Sequence, residues 1–234
     1  MNYKKLVFMG LLSISFFQLQ ALSFFGKTDL SNTTVKNDSV TVNGRFTFEN
    51  LIIEGSLNSN GHVTGKGLHV DTIGANGKVD IQDVTAKECK INGKTDIKNG
   101  KFFLLCVNGN CYLKDIVVSE KLKVAGRLVA KNLKVSDLFL RAQSSVLENV
   151  IIEKDFFVDD SDISYSLSDL FCNSWLGKYF CSSYDKKSKT TEIELKGSSH
   201  IKGNIEFKDG NGILYCSKTV KIDGKIIGAK IIKR

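Results

Sequence analysis

The chain of 234 residues has no proline at all, two methionines and one tryptophan. Without proline there are no polyproline segments, and 20 glycines lack the every-third-residue period of a collagen helix. Only one long apolar run occurs, Leu6 to Phe17, and it is too short to span a bilayer as a helix, for which about 20 residues are needed. No CxxC pair is present, and His62, His69 and His200 form no ligand motif with the cysteines, which argues against a zinc site. Nucleophile elbows and phosphate loops are also missing.

Lys4 and Lys5 precede the Leu6 to Phe17 run, and Ala21-Leu22-Ser23 follows with small residues at a signal-peptidase spacing. Residues 1–23 are therefore expected to be a secretory signal peptide. The mature chain begins near Phe24 and is destined for periplasm, cell surface or extracellular space, with no transmembrane segment. In an oxidising compartment the even count of six cysteines favours disulfides. Candidate bridging residues are Cys106 and Cys111, on either side of Asn108-Gly109, and Cys172 and Cys181. Cys89 and Cys111 fall on inward positions and read as small core residues, whereas Cys106 points outward.

Against this background one signal dominates. Asn-Gly recurs at 43/44, 60/61, 76/77, 92/93 and 108/109, followed by Ala125-Gly126, so the glycines are spaced 17, 16, 16, 16 and 17. Six residues after each glycine stands a second corner residue: Asn50, Gly67, Asp83, Asn99, Asp115 and Asn132, then Asn149. Asn, Asp and Gly tolerate the left-handed backbone that sharp corners need. Between corners, mostly apolar residues alternate at fixed offsets, as in Phe46/Phe48, Leu51/Ile53 and Leu57/Ser59. Three inward pairs per period describe a coil with three short faces. The predicted fold is all-β: a parallel β-helix (β-solenoid) of 16–17-residue coils, with equivalent residues stacked about 4.8 Å apart. A strict period over six units disfavours an antiparallel sandwich, which has no reason to keep one spacing.

The expected organisation is a lead or cap over 24–38, coils over 39–158, an insertion over 159–192 and further coils over 193–234. Within the insertion, Leu167, Leu170, Phe171, Trp175 and Tyr179 recur at helical spacing, with Ser164 and Ser166 as cap candidates. That short amphipathic helix, with Phe171, Trp175, Leu176 and Tyr179, is expected to cap or flank the solenoid or to dock a partner. After it the coils resume around Gly203 and Gly224, with extra residues in the turn Lys208 to Gly212.

Glycine, alternating aliphatics, a polar corner and another aliphatic pair, repeated over 16 to 17 residues, resemble the bactofilins across roughly Ser39 to Val158 and, more loosely, Glu194 to Ile232. That resemblance implies a right-handed triangular β-helix that assembles end to end without nucleotide. Exported β-helical adhesins are an equally open relationship, since the chain carries an export signal and no Pro-rich tails.

Functional candidates are few. Asp80 and Asp96 stack one coil apart near no nucleophile, and read as surface charges offsetting lysines. Asp159, Asp160 and Asp162 lack the glycine and distal glutamate of an EF-hand loop, and read as a solvated exit loop. No catalytic residues, cofactor or metal are expected. The fuller signal is a cationic ribbon just after each glycine, comprising Arg45, Lys66, Lys78, Lys94, Lys98, Lys114, Arg127 and Lys131, with Glu49 the one acid in those columns. The precursor carries +8 and the mature chain +6. Stacked like charges repel, so such a ribbon suits either solubility or an anionic surface polymer or glycan. Few aromatics interleave it, which disfavours nucleic acid. The expected function is a non-enzymatic structural protein of the envelope or surface, self-associating through its ends or binding anionic polymers. The alternatives are a secreted adhesin or effector binding glycans and a polysaccharide-acting β-helix enzyme. At the C-terminus, Lys230, Lys233 and Arg234 are candidate gatekeepers against end-to-end pairing, or the rim of such a contact.

Overall fold

The computed structural model describes residues 22–159 and 190–234. The signal-peptide expectation falls on residues outside that range except at its last two positions. The helix expected over the insertion, with Phe171, Trp175, Leu176, Tyr179, Cys172 and Cys181, lies wholly outside the described residues.

The chain is an all-β parallel solenoid of about ten coils, with an average repeat of about 18 residues. β1 (Leu22–Asn108) is one extended run wound through the corners at Gly26, Gly44, Gly61, Gly77 and Gly93. β2 (Cys111–Ala125), β3 (Leu128–Arg141), β4 (Ser144–Glu148), β5 (Ile151–Ile152) and β6 (Phe156–Val158) continue it. After the insertion come β7 (Thr191–Lys196), β8 (His200–Ile201), β9 (Ile205–Phe207), β10 (Gly212–Cys216), β11 (Lys221–Ile222), β12 (Ile226–Ile227) and β13 (Ala229–Lys233). Every strand pair is parallel; Cys111, for example, sits between Thr95 of the preceding coil and Leu128 of the next.

The alternation places side chains as expected. Phe46, Val63, Val79, Thr95, Cys111 and Leu128 form one buried column, and Val40, Leu57, Ile73, Cys89, Leu105 and Leu122 form another. Inward glycines are matched to large neighbours: a Cβ on Gly65 would stand 2.6 Å from the Phe48 ring, and one on Gly100 the same distance from Phe102. Each buried Leu, Ile or Phe contributes on the order of 1.5–3 kcal/mol relative to exposure, and a column repeats that gain without lengthening any contact in sequence.

Two corners hold the coil. At the first, the glycines have φ between +127° and +138°, and a Cβ on Gly77 would lie 2.0 Å from the Gly61 carbonyl oxygen. Any side chain there breaks the coil-to-coil spacing. The column reaches back to Gly26, whose carbonyl underlies Gly44 in the same way. At the second corner, Asn32, Asn50, Asp83, Asn99, Asp115, Asn132 and Asn149 all have φ of +49° to +58°.

Amides bridge these corners from coil to coil. Asn60 Nδ2 donates to Asn43 Oδ1 at 3.0 Å, Asn76 to Asn60 at 3.0 Å and Asn92 to Asn76 at 2.9 Å. At the second corner Asn50 donates to Asn32, Asn99 to Asp83, and Asn149 to Asn132.

The insertion leaves and returns at a single corner. Leu147 pairs with Leu195 and Phe156 with Ile205, so the core columns continue across it. Asp159 marks its root and is not a solvated loop carboxylate. It is only 15 % exposed, accepts Arg141 Nε at 2.9 Å and lies 3.7 Å from Lys208 Nζ, between cations of the coils before and after. Among the described residues no group of three His, Cys, Asp or Glu side chains converges as a metal site.

The candidate bridge between Cys106 and Cys111 does not form: both are free thiols, as are Cys89 and Cys216. Cys111 faces the core, while Cys106 shares an outward column with Lys123, so the two point to opposite sides of the sheet wall. Neighbouring side chains nevertheless cover Cys106 to 4 % exposure.

Candidate ligand-binding face

The first face after the glycine corner presents three outward lanes, because alternate residues of a strand point away from the core. Lane one carries Arg45, His62, Lys78, Lys94, Asn110 and Arg127; lane two, Thr47, Thr64, Asp80, Asp96, Tyr112, Val129 and Val146; lane three, Glu49, Lys66, Gln82, Lys98, Lys114, Lys131 and Glu148. All eight cations of the expected ribbon lie on this one face.

The structure divides them into two groups. Lys66 is 3.6 Å from Asp83, Lys98 is 3.9 Å from Asp96, and Lys131 is 2.7 Å from Glu148 one coil further on. Lys94 stands 5.8 Å above the Tyr112 ring. Arg45, Lys78, Lys114 and Arg127 have no acidic partner among the described residues. The ion pairs are exposed, each contributing about 0–1 kcal/mol, so they offset the field of the ribbon without rigidifying it.

His62 lies between Arg45 and Lys78 with its Nε2 buried and unpartnered. Burial holds its pKa below the ordinary 6.5, helped by Lys78 and Arg45 and opposed by Asp80. At neutral pH it is uncharged and adds nothing to the ribbon.

On the second face, alternating charges pair across coils, Lys87 with Asp71 at 2.7 Å, Lys134 with Glu153 at 3.2 Å and Lys202 with Glu153, and His200 Nε2 shares a hydrogen bond with Asp223 at 2.8 Å. Two lysines bonded to Glu153 hold its pKa below the usual carboxylate value. The third face carries Phe139 and Phe157 at 5.8 Å, with Lys121 5.0 Å from the Phe139 ring. These aromatics were absent from the sequence-based candidates; their one signal was the occupation of outward positions by Phe.

At the C-terminal end Arg234 does not project past the last coil. Its guanidinium lies 3.9 Å from the Tyr215 ring and donates to Glu194 at 3.2 Å along the first face. Lys230 and Lys233 have no ion-pair partner among the described residues.

No helix among the described residues is long and apolar enough to cross a membrane. No family model matches the chain, and neither a curated protein nor a solved structure matches it.

Proposed function

We propose that the chain is an exported, non-catalytic rod of the cell envelope or surface that binds linear anionic polymers along its first face. The supporting observation is the set of four cations with neither an acidic nor a ring partner among the described residues, Arg45, Lys78, Lys114 and Arg127, held on a parallel lattice with about 4.8 Å between coils. Because backbone pairing fixes those intervals, a linear polyanion with a charge every ~5–10 Å meets cations at matching distances without ordering a loop. Lys94 over Tyr112 adds a flat ring against which a sugar stacks. The test is binding of a soluble acidic polysaccharide such as polygalacturonate across a salt series. Replacing Arg45, Lys78, Lys114 and Arg127 by Gln should weaken binding at least about tenfold and flatten its salt dependence. Unchanged binding by the variant sinks the reading.

A second reading is end-to-end self-association, in line with the bactofilin-like period. It is favoured by the outer edge of the last coil, where β11, β12 and β13 each pair on one side only among the described residues. Light scattering and negative-stain microscopy at low and high salt test it. Salt-resistant filaments support it, and a monodisperse monomer rejects it.

A further inference from the structure

The C-terminal coil is strongly cationic. Residues 217–234 contain six cations, Lys218, Lys221, Lys225, Lys230, Lys233 and Arg234, against Asp223 alone. The corresponding N-terminal stretch, residues 22–40, balances Lys27 and Lys36 against Asp29 and Asp38. Asp223 is taken by His200, and Arg234 by Glu194 and Tyr215. The five lysines are exposed and have no acidic partner among the described residues.

They surround an incompletely covered core. Val220, Ile222, Ile226 and Ala229 are only partly buried against it, and Ile227 and Ile231 are 49 % and 46 % exposed. Ile231 continues the inward column of Ile193 and Leu214, and none of the described residues pairs beyond it.

One residue argues against a second copy as the cover. The inward column Leu147, Leu195, Cys216 ends in Lys233. Another coil stacked there would bury an ammonium against aliphatic neighbours, which strips an unpaired ion of its water. Inward-pointing charge on a terminal strand is a recognised block to edge pairing. A lysine stem can, however, lie along apolar surface while its ammonium reaches outward.

The geometry points to an anionic lipid surface as the partner of this end: Ile227, Ile231 and the partly covered core meet the acyl boundary, and Lys218, Lys221, Lys225, Lys230 and Lys233 meet acidic headgroups. Apolar contact ringed by lysines is the combination that holds proteins on anionic bilayers, the charges giving attraction and the aliphatics giving salt-resistant depth. A soluble polyanion would use the lysines and leave the isoleucines in water.

The test is co-sedimentation of the full chain with vesicles of phosphatidylcholine plus phosphatidylglycerol, with phosphatidylcholine alone as baseline. Because the Leu6 to Phe17 run is common to all variants, the baseline measures its contribution. Replacing Lys218, Lys221, Lys225 and Lys230 by Gln should reduce affinity for the anionic vesicles at least about a hundredfold, at roughly fivefold per lysine. A charge-matched control away from both surfaces, Lys87, Lys90, Lys101 and Lys134 to Gln, should bind them as the parent does. A third variant, Ile227→Ser with Ile231→Ser, should lose affinity while keeping the salt dependence. Circular dichroism confirms that each variant folds. The inference is overturned if the end variant binds normally, if the charge-matched control loses as much as the end variant, or if the isoleucine pair is silent. It is also overturned if the chain without vesicles forms oligomers that the end variant abolishes, which would make a second copy the occupant.

Discussion

Asp115 accepts the side-chain amide of Asn132 at 2.7 Å and has no hydrogen to return to Asn99 on the coil before it. The amide ladder at the second corner is therefore interrupted between Asn99 and Asp115, although both residues adopt the same left-handed backbone. An aspartate in such a ladder serves the coil above it and breaks the link below.

Asp115→Asn restores the missing donor and keeps the corner conformation. We expect the variant to be more stable by about 0.5–1 kcal/mol, the net value of one exposed hydrogen bond. Urea denaturation of the two proteins side by side checks this, and a loss of stability would contradict it.

Gly77 and Gly210 both have positive φ, yet they predict different costs. A Cβ on Gly77 meets the Gly61 carbonyl oxygen at 2.0 Å, whereas one on Gly210 meets nothing within 4 Å. Gly210→Ala should cost about 1 kcal/mol of backbone strain. Gly77→Ala adds a backbone collision and should cost upwards of ~3 kcal/mol. Equal melting temperatures for the two variants would show that coil spacing is softer than the glycine stack implies.

Thr95 occupies an inward column between Val79 and Cys111, fully buried, with an unpartnered Oγ1. Its hydroxyl is desolvated without return, so Thr95→Val keeps the shape and should stabilise the protein by about 1–2 kcal/mol. Thermal unfolding followed by circular dichroism measures it; destabilisation would show that the hydroxyl has a partner.

Burial pushes the Cys89 and Cys111 thiols far above the ordinary value of 9.0, so both stay protonated when folded. In the unfolded chain they ionise normally. Above pH 9.0 the unfolded state therefore binds fewer protons, and stability falls as pH rises, by up to ~1.4 kcal/mol per pH unit for each thiol. Below pH 9.0 these two groups produce no such slope. Comparing denaturant midpoints from pH 8 to about pH 10 for the parent and a Cys89→Ala, Cys111→Ala variant isolates the effect; identical slopes would refute it.

The coil corners and inward columns were legible from the amino-acid order because both are local constraints. A left-handed backbone at Asn50, Asp83 or Asn99 selects its residue type from its own φ, and a strand alternates whatever its partner is. Cys106 shows where such counting stops: the alternation placed it outward, but its concealment beneath neighbouring side chains depends on the adjacent coils.

By itself, then, the sequence determined the repeat, its glycine and asparagine corners, the residues that face inward and the grouping of eight cations on one face. Those follow from backbone conformation and period. Only the tertiary structure decided which cations remain unneutralised, because Lys131 and Glu148 are 17 positions apart and meet through coil stacking. It also decided that the chain re-enters the same corner after the insertion, with Leu147 against Leu195, and that Lys233 ends a core column. Stacking order, unlike periodicity, is a property of which coil lies on which, and no local preference encodes it.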